Sequence, residues 1–211
     1  MTRPVVFVFA RAPIMGAVKS RLARDIGVVA ATRFHRLTLN GLCRQLVADP
    51  RFEVRLATTP RPALHDDGLW PRGIARFDQG QGDLGRRMIS VLRSAGTRPS
   101  LLLGSDIPDA RPEHILQALR LLAGCRHVLG PVRDGGYWLV GARHPESLPL
   151  RVLDGVRWSS SHALQDTVER LGDCALLPRP LTDVDDGSSY RATAASGSRR
   201  WRISVAERSD A

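Results

Sequence analysis

Apolar residues fall into short runs separated by stretches of helical spacing, and the two patterns alternate along the chain. Val5 to Ala10, Phe52 to Thr58, Ile74 to Asp78, Ser100 to Gly104, His127 to Gly130 and Tyr137 to Val140 are short and apolar enough to read as strands. Between them, Leu39, Leu42, Cys43 and Leu46 recur at helical spacing, as do Ile115, Leu119 and Leu122 behind the helix-starting Pro112. Leu164, Val168 and Leu171 mark a further helix opened by Ser159, Ser160 and Ser161. This alternation predicts an α/β fold, a three-layer sandwich whose mostly parallel central sheet is covered by helices on both faces. In open sheets of this kind ligands bind beyond the C-terminal ends of the strands, so the loops that follow them are where chemistry is expected.

The chain of 211 residues is 43% apolar, enough for one full core, and a single domain over 1–190 is expected, followed by a basic tail over 191–211. Cys43, Cys125 and Cys174 are far apart and form no C-x-x-C pair, which argues against a disulfide framework or a cysteine zinc site and fits a reducing cytoplasm. The first apolar run imitates a signal peptide, but its six residues are fewer than the roughly seven to fifteen such a segment uses. No run approaches the roughly eighteen apolar residues of a membrane span. Net charge is +10, which raises nucleic-acid binding. The arginines are scattered, however, without a basic run or interleaved aromatics, and the same charge suits an enzyme of polyanionic small molecules.

Thirty of the thirty-one basic residues are arginine, and the single lysine, Lys19, follows the first strand. Ammonium is a compact point charge, suited to one oxygen of a crowded phosphate site where a planar guanidinium is not. Around it, Arg11, Gly16, Lys19 and Arg21 form an outline anion site near a helix start, without the spacing of a P-loop or a dinucleotide fingerprint. After the fourth strand, Gly104-Ser105-Asp106 sets a carboxylate on the same rim, where Asp106 could hold Mg²⁺ or Mn²⁺; Asp109 is expected to cap a helix. Asp134, Gly135, Gly136, Tyr137 and Trp138 combine a hairpin signal with an aromatic pair able to face a sugar or base. Gly82, Asp83, Leu84 and Gly85 lie in a Gly-rich loop where a nucleotide could rest on the backbone, and Asp183 and Asp185 offer further carboxylates for a metal. The six histidines show no H-x-x-x-H pair and no link to a serine nucleophile motif.

These segments, in this order, resemble the nucleotide-diphospho-sugar transferase (GT-A) fold, most closely a bacterial family of arsenosugar-biosynthesis-type glycosyltransferases, from about Val5 to Asp186. Pro13 to Leu22 matches P-x-x-G-x-V-K-[ST]-R-L, Gly104 to Asp109 matches G-[ST]-D-x-P-D, and Gly130 to Tyr137 matches G-P-x-x-D-G-G-Y. Trp158-Ser159 and the late Asp183-Val184-Asp185 follow. The resemblance implies a donor bound through its phosphates by Lys19 and Arg21, with Gly82 to Gly85 lining the base pocket. It implies a divalent metal on Asp106 with Asp183 or Asp185. It also implies Asp134 acting on an acceptor hydroxyl, with Gly135, Gly136, Tyr137 and Trp158 near the sugar or acceptor. The implied activity is sugar transfer from a nucleotide-sugar to a small acceptor, with nucleotidyl transfer from an NTP as the alternative on the same fold. Met15 departs from a second proline common in relatives, and Asp186 to Ser189 lacks their further acidic residue and leucine.

Overall fold

The computed structural model describes residues 2–195. The elements are β1 (Val5–Arg11), α1 (Ser20–Ile26), α2 (Val28–Val47), β2 (Glu53–Thr59), β3 (Ala75–Asp78), α3 (Leu84–Arg93), β4 (Ser100–Gly104), α4 (Pro112–Leu122), β5 (His127–Pro131), β6 (Tyr137–Ala142), α5 (Ala163–Leu171), β7 (Cys174–Leu176) and α6 (Gly187–Ala195). Seven strands make one sheet in the order β3-β2-β1-β4-β6-β5-β7. Every neighbouring pair is parallel except those of β6, which runs against both β4 and β5. The mostly parallel α/β sandwich expected from the apolar pattern is therefore the fold of this chain.

A central strand of a parallel sheet has no solvent face, and β1 shows the consequence. Val6 and Val8 join one core with Leu39, Leu42 and Leu46 of α2 and Ile115 and Leu122 of α4. Val5 and Phe7 face the other way, with Met88, Ile89 and Leu92 of α3 and Leu171 of α5. The alternation of β1 thus assigns α2 and α4 to one layer and α3 and α5 to the other. A third, smaller cluster of Leu22, Ala31, Phe34 and Val184 ties α1 and the start of α2 to the loop before α6.

The Asp-Gly-Gly segment does make the hairpin between β5 and β6, with an irregular register at Gly130 and Pro131. Two elements carry weak sequence signals. β7 is three residues on the sheet edge, and α6 has little amphipathic pattern. The last residues of α6, from Arg191 to Ala195, take up the start of the segment expected as a tail; 196–211 lie outside the described residues. Among the described residues no helix is long and apolar enough to cross a membrane.

Packing is close where α4 meets the sheet through β6. A Cβ on Gly141 would lie 2.3 Å from Leu101 Cδ2 and 3.0 Å from Leu122 Cδ1. Gly141→Ala is expected to destabilise the protein by about 1–3 kcal/mol through overpacking, read as a lower midpoint with an unchanged slope in urea denaturation.

Candidate active site

The loop after β1 turns at Gly16, whose φ is +77°, and reaches Lys19 at φ 51°, in the left-handed region, as the residue that starts α1. For a side-chain-bearing residue that backbone conformation costs of order 1–2 kcal/mol. It aims the ammonium across the rim: Lys19 Nζ donates to Asp106 Oδ2 and to Asp185 Oδ1, each at 2.7 Å. The Lys19 side chain is only 7% exposed, while Asp106 and Asp185 remain open to solvent at 34% and 49%.

Asp106 is placed by the end of β4. Asp185 is placed by its neighbours: Val184 is fully buried against α1 and α2, and its N–H donates to the Asp106 carbonyl at 3.3 Å. In an extended segment, alternate side chains point to opposite faces, so burying Val184 turns Asp183 and Asp185 toward the rim. The following residues lock this arrangement. Asp186 and Ser189 cap the start of α6 reciprocally. The Gly187 N–H donates to Asp25 of α1 at 2.7 Å, where a Cβ would approach the Asp25 Cβ to 2.8 Å. The closing helix α6 forms with Ser189 and Asp25 supplying its contacts.

Charge crowding distinguishes the carboxylates. Burial pushes the Asp106 carboxyl up, but the charge and hydrogen bond of Lys19 outweigh it and hold the group below its ordinary value. Burial likewise pulls the Lys19 ammonium down, and Asp106 and Asp185 together reverse that, leaving it raised. Asp183, with no such partner among the described residues, is pushed up to about 6 by burial and by the charges of Asp185, Asp134 and Asp106.

Two cavities meet at this point, sharing Arg21, Gly104, Asp106, Ser159 and Asp185. The first, about 650 Å³, is lined by the cations Arg11, Lys19, Arg21 and Arg87 together with Phe9 and Gln79. The second, about 580 Å³, holds Tyr137, Trp138 and Trp158 with the carboxylates of Asp134 and Asp183. Ser159, at φ 56°, is the other non-glycine residue of the described chain in the left-handed region, and it stands where the cavities join.

Arg11, Lys19, Arg21, Asp106, Asp134, Gly136, Tyr137, Trp158, Asp183 and Asp185 all line one cavity or the other, as does Leu84, on the aromatic side. Gly16 shapes the loop beside the first cavity. Gly82, Asp83, Gly85 and Gly135 line neither, and each has a structural task. Asp83 caps α3, accepting from the Arg86 N–H at 2.8 Å. Gly85 lets α3 pack on Leu153 and Trp158, and Gly135 lets the hairpin lie against Ser161, where a Cβ would sit 2.2 Å from the carbonyl oxygen. Gly82 turns the loop at φ +105°. Asp134 accepts from the Gly136 N–H at 3.0 Å through Oδ1, so it shapes the hairpin as well as facing the cavity.

Sequence reading missed Gln79, Arg87 and His35. Buried Gln79 donates to the carbonyls of Ala10 and Ala57 at 3.1 Å each and accepts from Arg87 Nη1 at 2.9 Å. That fixes the guanidinium near the Phe9 ring, 5.8 Å from its centroid. His35 Nε2 lies 2.9 Å from the Arg11 carbonyl, which can only accept, so Nε2 carries the proton; burial holds the ring below its usual value and neutral. A Gln before the glycines and an Arg eight residues later are no motif, and only the strand ends bring them together.

Residues 42–160, more than half of the chain, match a family described as "Uncharacterized protein conserved in bacteria (DUF2064)". The chain belongs to this family. No curated protein matches the DUF2064 chain. Among solved structures it is similar to a candidate nucleotide-diphospho-sugar transferase from Desulfovibrio desulfuricans G20, at 29% identity and TM-score 0.82, covering 95% of this chain and 92% of that one. A cytidylyltransferase from Leptospira borgpetersenii shares the fold at TM-score 0.60 and 14% identity, with 92% and 85% covered. Rv0371c from Mycobacterium tuberculosis H37Rv, in complex with manganese, does so at 0.53 and 17%, with 90% and 97% covered. The fold of this DUF2064 protein is that of nucleotide-diphospho-sugar transferases and cytidylyltransferases.

Asp183 gives a test of the crowding. Its folded pKa of about 6 lies above its ordinary 3.8, so ionising it opposes folding, and stability is lost as pH rises from about 4 through 6. In EDTA, Asp183→Asn is expected to melt above the wild type at pH 7.5 and with it at pH 4. A variant that melts at or below the wild type at pH 7.5 would show that the carboxyl is not strained.

Proposed function

We propose that this DUF2064 protein transfers a sugar from a nucleoside-diphosphate sugar to a small, uncharged hydroxyl acceptor. The observation that carries the reading is the asymmetry about Lys19: Arg11, Lys19 and Arg87 line the first cavity and not the second, Tyr137, Trp138, Trp158, Asp134 and Asp183 line the second and not the first, and Arg21, Asp106 and Asp185 stand where the two join. Phosphates fit the first, since Lys19, Arg21, Arg87 and Arg11 can only donate. A sugar and its acceptor fit the second, where Tyr137 and Trp158 stand edge to face at 6.4 Å and offer apolar faces beside oxygen acceptors.

Transfer breaks the bond between the anomeric carbon and the diphosphate oxygen and forms one from the acceptor oxygen to that carbon. The acceptor proton passes to a carboxylate, and nucleoside diphosphate leaves. Asp134, with Oδ1 committed to Gly136, keeps Oδ2 to accept the hydroxyl proton. Lys19 and Arg21 hold the diphosphate and stabilise the charge that grows on it.

The all-oxygen donor set of Asp106, Asp183 and Asp185 suits Mg²⁺ or Mn²⁺, and the crowding that lifts Asp183 is of the kind a divalent cation relieves. Among the described residues no three ligating side chains gather closely enough to hold a metal by themselves, so part of its shell would come from phosphate and water. When bound, the ion would supply Lewis-acid stabilisation of the leaving diphosphate.

Nucleotidyl transfer to a phosphorylated acceptor uses the same fold, but it would press a second anion against Asp134 and Asp183. The carboxylate wall favours an uncharged acceptor. Incubating the enzyme with nucleotide-sugars and NTPs, with Mn²⁺, is expected to release nucleoside diphosphate from one sugar donor, and Asp106→Asn to lower turnover about 10²-fold. Release of pyrophosphate from an NTP, with no sugar donor consumed, would overturn sugar transfer in favour of nucleotidyl transfer.

A further inference from the structure

The ammonium of Lys19 holds the two carboxylate oxygens that a bridging cation would need. Asp106 Oδ2 and Asp185 Oδ1 are both 2.7 Å from Nζ, so they lie no more than about 5.4 Å apart with one positive charge already between them. This contact is built rather than incidental. Lys19 adopts a left-handed backbone to make it, its side chain is almost wholly buried, and Val184 and Ser189 hold the acidic segment against it. Thirty other basic positions are arginine. A guanidinium is a broad planar fork, whereas an ammonium can sit between two single oxygens and, with four rotatable bonds behind it, leave them.

We infer that Lys19 is a resident counter-ion that keeps the Asp106–Asp185 pair closed to divalent metal until a diphosphate draws the ammonium away. The inference rests on the reading of the first cavity as a diphosphate site. Metal alone must compete with two short charge-assisted hydrogen bonds for the same oxygens. A diphosphate in the first cavity offers the ammonium replacement acceptors and leaves Asp106 and Asp185 with an uncompensated charge that a divalent ion then meets. Metal and nucleotide therefore bind as a coupled pair, each raising the affinity of the other by the same factor. Lys19 serves both states, closing the metal pair in one and gripping phosphate in the other.

The test is Mn²⁺ binding without nucleotide, followed by the spectrum of free Mn²⁺, for wild type, Lys19→Ala and Lys19→Met, each checked for folding by its melting temperature. Removing the ammonium is expected to tighten Mn²⁺ binding about tenfold or more, within the range usual for site-to-site coupling. Adding Asp106→Asn should abolish that gain. Equal affinity in folded wild type and folded variants overturns the inference, and so does a gain that survives Asp106→Asn.

A second measurement needs no variant. Lys19 is the only lysine, so lysine-selective isotope labelling gives one side-chain NMR signal. That signal is expected to stay in place with millimolar MgCl₂ alone and to move with MgCl₂ plus pyrophosphate. Pyrophosphate that raises the melting temperature but leaves the signal unmoved overturns the inference. If neither pyrophosphate nor any nucleotide binds, the proposed function fails by itself, and the nucleotide-free Mn²⁺ comparison still decides the role of Lys19.

Discussion

The bridge from Lys19 to Asp106 and Asp185 joins three parts of the chain that are far apart in sequence: the loop after the first strand, the end of β4, and the acidic segment before the last helix. Two carboxylates brought this close on a half-buried rim repel each other unless a cation lies between them. One ammonium meets that need and in doing so fixes where the two cavities meet. The neutral His35 beneath the same loop, bonded to the Arg11 carbonyl, and Gln79, bridging the ends of β1 and β2, hold the rest of the rim in place.

Charge separation across that bridge is a property of the sheet order. β3, β2 and β1 deliver Gln79, Arg11 and Lys19 to one side, β6 and β5 deliver Tyr137 and Asp134 to the other, and β4 sets Asp106 where the two meet. The antiparallel β6 matters here. Because it runs against its neighbours, the β5–β6 hairpin turns at the same end of the sheet where β1 and β4 finish, which brings Asp134 and the aromatic pair to the rim. An all-parallel sheet would have carried that turn's residues away into a crossover.

Much of the fold was legible because a parallel sheet buried on both faces leaves short, nearly continuous apolar runs, and β1 and β4 are of this kind. The elements that escaped have small apolar faces. β7 is three residues long, and α6 is held by caps, by Asp25 and by the edge-to-face pair of Phe34 and Tyr190 rather than by an apolar stripe. Within the candidate site, the charged residues expected at the strand ends lie together on one rim, with Lys19 against Asp106 and Asp185. In the Gly-rich loop expected to carry a nucleotide, Gly85 allows α3 to pack closely and Asp83 caps that helix, while Gly135, expected near the sugar or acceptor, lets the β5–β6 hairpin lie against Ser161. The same local sequence serves either purpose, and only what lies opposite the missing Cβ decides.

By itself the sequence determined the layer architecture, the rim where chemistry is expected, and the presence there of one lysine and several aspartates, because each follows from local periodicity and from residue type at strand ends. The tertiary structure alone decided which charges meet. That Lys19 lies between Asp106 and Asp185, that neighbouring carboxylates and burial raise the pKa of Asp183, and that Arg87 is fixed through Gln79 all depend on contacts across the strand order. Electrostatic interaction falls with distance and with solvent access, quantities that sequence separation does not carry. Lys19 and Asp185 are 166 positions apart in the chain and 2.7 Å apart in the fold.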